Sequence, residues 1–432
     1  MIKRGLITVI AAAALGLVGT APAMAAQPYP LNFKTFALSS SSSTGTVLSN
    51  GSLTLGGTLS GPYAYADPFT NYSGDGVDGT GAYEYGTWTS GVTNIFPFNE
   101  LVSSWNAKTP AGTWIQVEMQ PQIDDGHWAK WYILGRWSSD DGSFHRTSVG
   151  GQKDGDGFVS IDTWFAHAHP AVAYRLRVTL FRKLGATASP SVSRLSAIAM
   201  NLTNQKMSFP SATTMTSGVD LGLPSHSQEI HHGDFPQYDN GGEAWCSPTS
   251  TSMVVDYWSQ TTGTNYSPTS AEYKWVTDAL GPNHTDPQVD YTAREVFDYH
   301  YNGAGNWPFN AAYAGSRGLV ADVTALHNLS EAEPFIRAHI PLVASVAWQP
   351  NKLDGGIKST NGHLLVIGGF TASGDPIVYD PASTDDTAVR HVYDREQFEK
   401  AWIPASGGIV YLVRPAGWQT SLVDALETAN NS

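Results

Sequence analysis

The stretch GGEAWCSPTS, residues 241–250, holds Cys246, the single cysteine in a chain of 432 residues. A lone thiol is either a small buried apolar group or a nucleophile. The text after it, SPTSTSMVVDYWSQ, puts Met253, Val254, Tyr257 and Trp258 on one helical stripe, with Pro248 in the first turn, where a helix tolerates proline. Cys246 therefore stands at a helix start. There the free amides and the helix dipole favour thiolate, the reactive form. A nucleophilic thiol also needs a base, and the base needs an orienting group. His363 opens the apolar strand GHLLVIGGF, and Asp380 ends the next one, PIVYDP, with TASGD between them. If those strands pair antiparallel, His363 and Asp380 meet and the thiol can face them. Asp385 and Asp386 are nearby competitors for the carboxylate role.

Other polar clusters read as ordinary structure. His231-His232, with His226 upstream, has imidazoles for a metal. Adjacent side chains rarely converge on one ion without a carboxylate partner, so no metal and no cofactor is expected. His167 and His169 in AHAHP read as a solvated strand end. Asp154, Asp156 and Asp162 lack the twelve-position pattern of a calcium loop and read as a Gly-Asp turn and its surroundings. Trp88, Trp105, Trp114, Trp128, Trp131, Trp137 and Trp164 offer a carbohydrate platform, although most should be core.

The elements that must position these residues fall into two groups. Residues 63–210 look all-β. TWIQVEMQ sets Ile115, Val117 and Met119 against Trp114, Gln116 and Glu118, and RLRVTLFR alternates likewise. A β-sandwich of jelly-roll type is expected. Residues 26–62 read as a linker and first strands. Past a Ser/Thr/Gly/Pro-rich seam the pattern changes to helices, in SPTSAEYKWVTDAL, YTAREVFDYHY and SEAEPFIRAHI. The last shows Ser330 and Glu333 at capping-box spacing. Strands follow in PLVASVAW, GHLLVIGGF, PIVYDP and GGIVYLV, and Asp394 with Gln397 caps a short helix between the last two. This order is α+β over residues 221–415, with 416–432 as a C-terminal tail.

Residues 1–25 have a signal-peptide pattern: Lys3 and Arg4, an apolar run from Leu6 to Gly19, then Ala23-Met24-Ala25. A secreted, extracellular monomer is expected, free of the membrane after cleavage. The net charge of −14 and the lack of basic runs exclude nucleic acid as a partner.

The ordered text LPSHSQ, WCSPTSTSMVVDYW, IPLVASV, NGHLLVIGGF and IVYDPA resembles the papain-like cysteine peptidases. Within them it resembles the peptidase C-thirty-nine-like family, kin to the peptidases that remove double-glycine leaders. The resemblance implies a helical lobe and a β lobe, Cys246 as nucleophile, His363 as base and Asp380 as orienter. It also implies Gln228 as an oxyanion donor together with the Cys246 N–H. Gln237, nearer the cysteine, is the alternative donor, and Ser247 stands where the leader peptidases have glycine. The implied activity is peptide-bond hydrolysis through a thioester on a peptide or protein substrate, with cell-wall peptide among the candidates. The same triad would serve a cell-wall amidase or amide transferase. A non-catalytic glycan or cell-wall binder is the third reading.

Overall fold

The computed structural model describes residues 28–39, 42–203 and 206–429. The signal-peptide reading of residues 1–25 lies outside them. Among the described residues no helix is long and apolar enough to cross a membrane.

The N-terminal half forms two seven-stranded antiparallel sheets. One centres on Glu100–Lys108 and Ser191–Met200, which pair along most of their length. Leu31–Thr35, from the segment read as linker and first strands, pairs with Ser191–Met200 in this sheet. The other centres on Ala171–Lys183, flanked by Thr113–Ile123 and Gly81–Thr89. Strand alternation explains the inner faces. Ile115, Val117 and Met119 are buried, as are Leu176, Val178 and Leu180. The outer face is not simply solvated. Trp114 stacks on Phe181 (centroids 3.8 Å apart) and Phe144 (4.6 Å), a second small core with Tyr65 and Tyr83.

The C-terminal half is α+β. Its helices are α1 Cys246–Thr262, α2 Lys274–Leu280, α3 Pro287–Val296, α4 Trp307–Ser316, α5 Leu329–Arg337, α6 Arg395–Ser406 and α7 Thr420–Ala429. Its sheet runs Val320–Ala325, Ile409–Arg414, Leu342–Trp348, Thr360–Phe370, Pro376–Tyr379, Arg390–Val392, with Val219–Asp220 added to Thr360–Phe370. Every pairing is antiparallel.

Several elements depart from the sequence reading. α3 stops at Val296 because the Asp298 carboxylate takes the N–H groups of Ser148, His300 and Tyr301. The Ser330–Glu333 capping box does not form. Asn328 caps α5 by accepting from Glu331 N–H (3.2 Å), and Glu333 instead accepts from Thr213, Thr214 and Arg395. Asp394 does cap α6, accepting from Gln397 N–H at 2.9 Å.

The two halves share one continuous apolar core. Phe309 of α4 packs against Trp105 and Trp137 of the sandwich. Asn106 exchanges two hydrogen bonds with the Ala321 backbone, donating at 2.7 Å and accepting at 3.1 Å. Buried Arg146 reaches across to the Arg294 carbonyl (2.6 Å) and the Glu295 carboxylate (3.1 Å). These contacts fix the sandwich rigidly beside α3 and α4.

Candidate active site

Cys246 is the first residue of α1 and is half-buried. Three features fix it. Trp245, fully buried, donates its indole N–H to the Tyr238 carbonyl (2.6 Å) and so packs beneath the cleft. Ser247 shares a hydrogen bond with the Tyr411 hydroxyl (2.9 Å) in the interior. Ser250 donates to the Leu364 carbonyl (3.1 Å), which ties α1 to the strand next to His363.

His363 stands on Thr360–Phe370 opposite Val346. The TASGD hairpin pairs this strand with Pro376–Tyr379, and Asp380 follows directly. His363 Nε2 lies 2.7 Å from Asp380 Oδ1, and both side chains are buried. The nearby Cys246 thiol also favours the charged ring. Since Nε2 is committed to Asp380, Nδ1 is the nitrogen left to face sulfur. Burial works against a charged ring here. Asp380 and the adjacent thiol outweigh it and hold the His363 pKa at about 10. Burial likewise opposes the Asp380 carboxylate. The His363 charge, with hydrogen bonds from His363, the Tyr393 hydroxyl (2.8 Å) and the Ala382 N–H (3.0 Å), lowers its pKa nonetheless.

Gln228 is buried and lines the same cleft as the thiol. Its Nε2 donates to the Glu243 carbonyl (2.9 Å), which fixes the amide plane, and to the half-buried Glu229 carboxylate (3.1 Å). Among the described residues, Gln228 lines the cleft with Cys246 and His363, whereas Gln237 does not. Asp385 and Asp386 are engaged elsewhere, with the Thr387 and Ser227 N–H groups respectively.

The cleft encloses about 630 Å³. Its floor and one wall come from the C-terminal half, including Val346, Ile357, Asn361 and Tyr301. The facing wall comes from the sandwich, where the turn Ser160–Thr163 and Phe165 line it. Ile161, at the tip of this turn, has φ +58°, a strained conformation for a β-branched residue. Asp162 beside it is buried and accepts the Trp307 N–H (2.8 Å); burial raises its pKa to about 6.

Sequence reasoning missed three contributors. Trp348 sets its ring edge-on to His363 (5.9 Å, 80°) and shields the imidazole–carboxylate pair. Tyr393 bonds the second Asp380 oxygen. The Ser160–Thr163 turn is the third, and no local pattern could announce it, because only packing between the halves brings it to the cleft. The remaining candidates are spent locally. Asp154 accepts from the Tyr132 hydroxyl and the Gly157 N–H, and Asp156 faces His127. His167 and His169 are exposed. Trp88, Trp105, Trp114, Trp137 and Trp164 are buried. Trp128 and Trp131 are half-buried, and guanidinium groups cover their faces: Arg175 over both and Arg177 over Trp131 at 4.1 Å.

A cysteine at the head of a central helix, packed on an antiparallel sheet that carries a histidine–aspartate pair, defines a papain-like α+β domain, here with an all-β domain in front. Residues 223–410 match the Peptidase C39 like family, and residues 33–200 match the Peptidase C39 N-terminal domain, so the chain joins a domain of that peptidase family to its N-terminal companion. No curated protein matches. Among solved structures, a Bacillus anthracis protein assigned to the C39-like peptidases is 14% identical, covering 46% of this chain and 98% of its own, at TM-score 0.29. A structure of the Gt strain of infectious bursal disease virus is 13% identical, covering 45% of this chain and 37% of its own, at TM-score 0.21.

Proposed function

We propose that this is an exported cysteine peptidase. One observation carries the reading: the only thiol begins α1 against a buried imidazole whose far nitrogen is held by a carboxylate. In this reading Cys246 thiolate attacks the scissile carbonyl carbon. The oxyanion is met by the Cys246 N–H and by a Gln228 amide hydrogen, freed when substrate displaces Glu229. His363 gives its proton to the leaving amine as the C–N bond breaks, leaving a thioester. It then takes a proton from water, which attacks the thioester and releases the acid and the thiol. Asp380 stabilises the imidazolium throughout. The cleft, lined by Ile161, Tyr301, Val346 and Ile357 and by the carboxyl groups of Asp162, Glu229, Asp239 and Glu243, has room for an extended peptide between sandwich and C-terminal domain. Export rests on the Lys3-Arg4, apolar and Ala23-Met24-Ala25 pattern.

The test is direct. Wild-type protein should react once with a thiol-directed epoxide and should hydrolyse peptide, whereas Cys246→Ala should do neither while keeping its melting temperature. Peptide hydrolysis at the wild-type rate by Cys246→Ala would remove the proposal. Release of amines from peptidoglycan but not from casein would move the activity to a wall amidase with the same triad.

A further inference from the structure

The turn directly after Gln228 carries a second polar centre that the proposed chemistry does not use. His231 closes the short turn Glu229–His231 with no side-chain exposure, and neither of its ring nitrogens makes a hydrogen bond. Its Nδ1 lies 3.2 Å from Asp290 Oδ2 and 3.5 Å from Asp234 Oδ2. His284 Nε2 approaches the same two oxygens, at 2.9 Å and 3.6 Å. The four residues bring one donor each within 4.8 Å of one another. Asp290 is also fully buried, and its other oxygen has no partner.

These separations have a geometric meaning. Nitrogen and oxygen donors held at about 2.0–2.1 Å by a tetrahedral ion lie about 3.3 Å apart. The measured contacts, 2.9 to 3.6 Å, bracket that spacing. Two imidazoles with two carboxylates suit zinc; calcium and magnesium prefer oxygen alone. The carboxylate partners that the His231-His232 text lacks come from Asp234, three residues on, and from Asp290 of α3.

We propose that His231, Asp234, His284 and Asp290 form a four-coordinate zinc site. Its place gives it a positioning role. The ion would tie the segment that starts at Gln228 to α3 and to the loop before it. Trp245 packs on the His231 ring (6.1 Å), so that segment ends, beside the ion, at the residue preceding Cys246. The site thus braces both the amide and the nucleophile from behind while touching neither substrate nor thiol.

The experiment uses the full chain with Cys246→Ala, so that thiol and His363 cannot capture the metal and the outcome does not depend on the catalytic reading. Chelator-stripped protein is dialysed against micromolar zinc and its metal measured by mass spectrometry. About one zinc per chain is expected, with a rise in melting temperature. Adding His284→Ala, a change at the solvent edge of the cluster, should cut bound zinc to below about a tenth per chain and abolish that rise. Cobalt in place of zinc should give the intense visible bands of a four-coordinate ion. Zinc that fails to bind, or that binds equally with His284→Ala, overturns the proposal and leaves a buried ion-pair cluster. Should the variant misfold, the cobalt spectrum of the parent decides: no four-coordinate bands means no site.

Discussion

Replacing Asp380 by asparagine isolates what the buried charge does for His363. Asparagine keeps the shape. Its Oδ1 can still accept from His363 and from the Ala382 N–H, and its amide faces the Tyr393 hydroxyl, which can turn to accept. Only the charge is lost. The rise of His363 from 6.5 to about 10 corresponds to about 5 kcal/mol of preference for the protonated ring. Asp380 is the foremost cause of that rise, with the thiol second. Losing roughly half of it removes about 2–3 kcal/mol from the imidazolium-bearing transition states, or about 30- to 150-fold in kcat/KM. The assay is the pH dependence of peptide hydrolysis. Wild type should lose activity on the alkaline side near pH 10, and in Asp380→Asn that limb should move toward neutrality. Stability should follow the same groups. His363 binds its proton more tightly folded than unfolded, so its contribution is complete below pH 6.5 and is lost as pH rises through about 10. The Asp380 contribution is complete above pH 3.8 and is lost as pH falls through its lowered pKa. The difference in melting temperature between wild type and Asp380→Asn should therefore be widest between pH 3.8 and 6.5 and close toward pH 10. An alkaline limb that stays in place, with kcat/KM within about threefold of wild type, would refute the reasoning.

Two further outcomes test the walls of the cleft. Gln228→Ala should lower kcat by about 100- to 1000-fold while iodoacetamide alkylates Cys246 at the wild-type rate, since alkylation forms no oxyanion; a parallel loss of alkylation would mean that the side chain supports the thiol rather than the oxyanion. Ile161→Gly should raise KM about threefold to tenfold with kcat held, as an apolar contact is lost. Its melting temperature should stay near wild type, because relief of the strained backbone, about 1–3 kcal/mol, offsets lost burial and added chain entropy. An unchanged KM would place the sandwich turn outside the substrate path.

The elements legible in the sequence are those whose pattern reports one buried face. α1 shows its stripe at Met253, Val254, Tyr257 and Trp258, and all four are buried. The strands around His363 and Asp380 show as apolar runs bounded by turn residues. α4 did not show, because Phe309, Ala311, Ala312, Tyr313 and Ala314 are buried on every side and leave no polar face to set the helical period. The other domain adds to that burial, with Trp105 and Trp137 packed on Phe309. The strand Val320–Ala325 escaped for a similar reason. Its Asp322 reads as a surface charge, yet it is buried against Arg194 and Ser196 of the sandwich. The Cys246, His363 and Asp380 convergence followed from chain order and hairpin logic. Tyr393, His284 and Asp290 did not: Tyr393 meets Asp380 across a turn and a further strand, and the His284–Asp290 pair meets His231 and Asp234 from a distant part of the chain, with no shared periodicity.

That distinction bears on what the N-terminal half is for. A tethered binding module would meet its neighbour through a thin, polar surface. Here the meeting surface holds Phe309 between tryptophans, a buried Arg146 spanning to α3, and Asn106 hydrogen-bonded to the Ala321 backbone as a strand neighbour would be. Cutting the chain at the seam would expose Phe309 and Ala311 and leave the Glu295 carboxylate without its buried cation. It would also remove Ile161 and Phe165 from the cleft, opening the surroundings of Cys246 to water. The sandwich is therefore structurally continuous with the C-terminal half. In the proposed reaction a peptide would meet a surface from each domain, so selectivity should divide between residues such as Ile161 from the sandwich and Asn361 and Tyr301 from the C-terminal half.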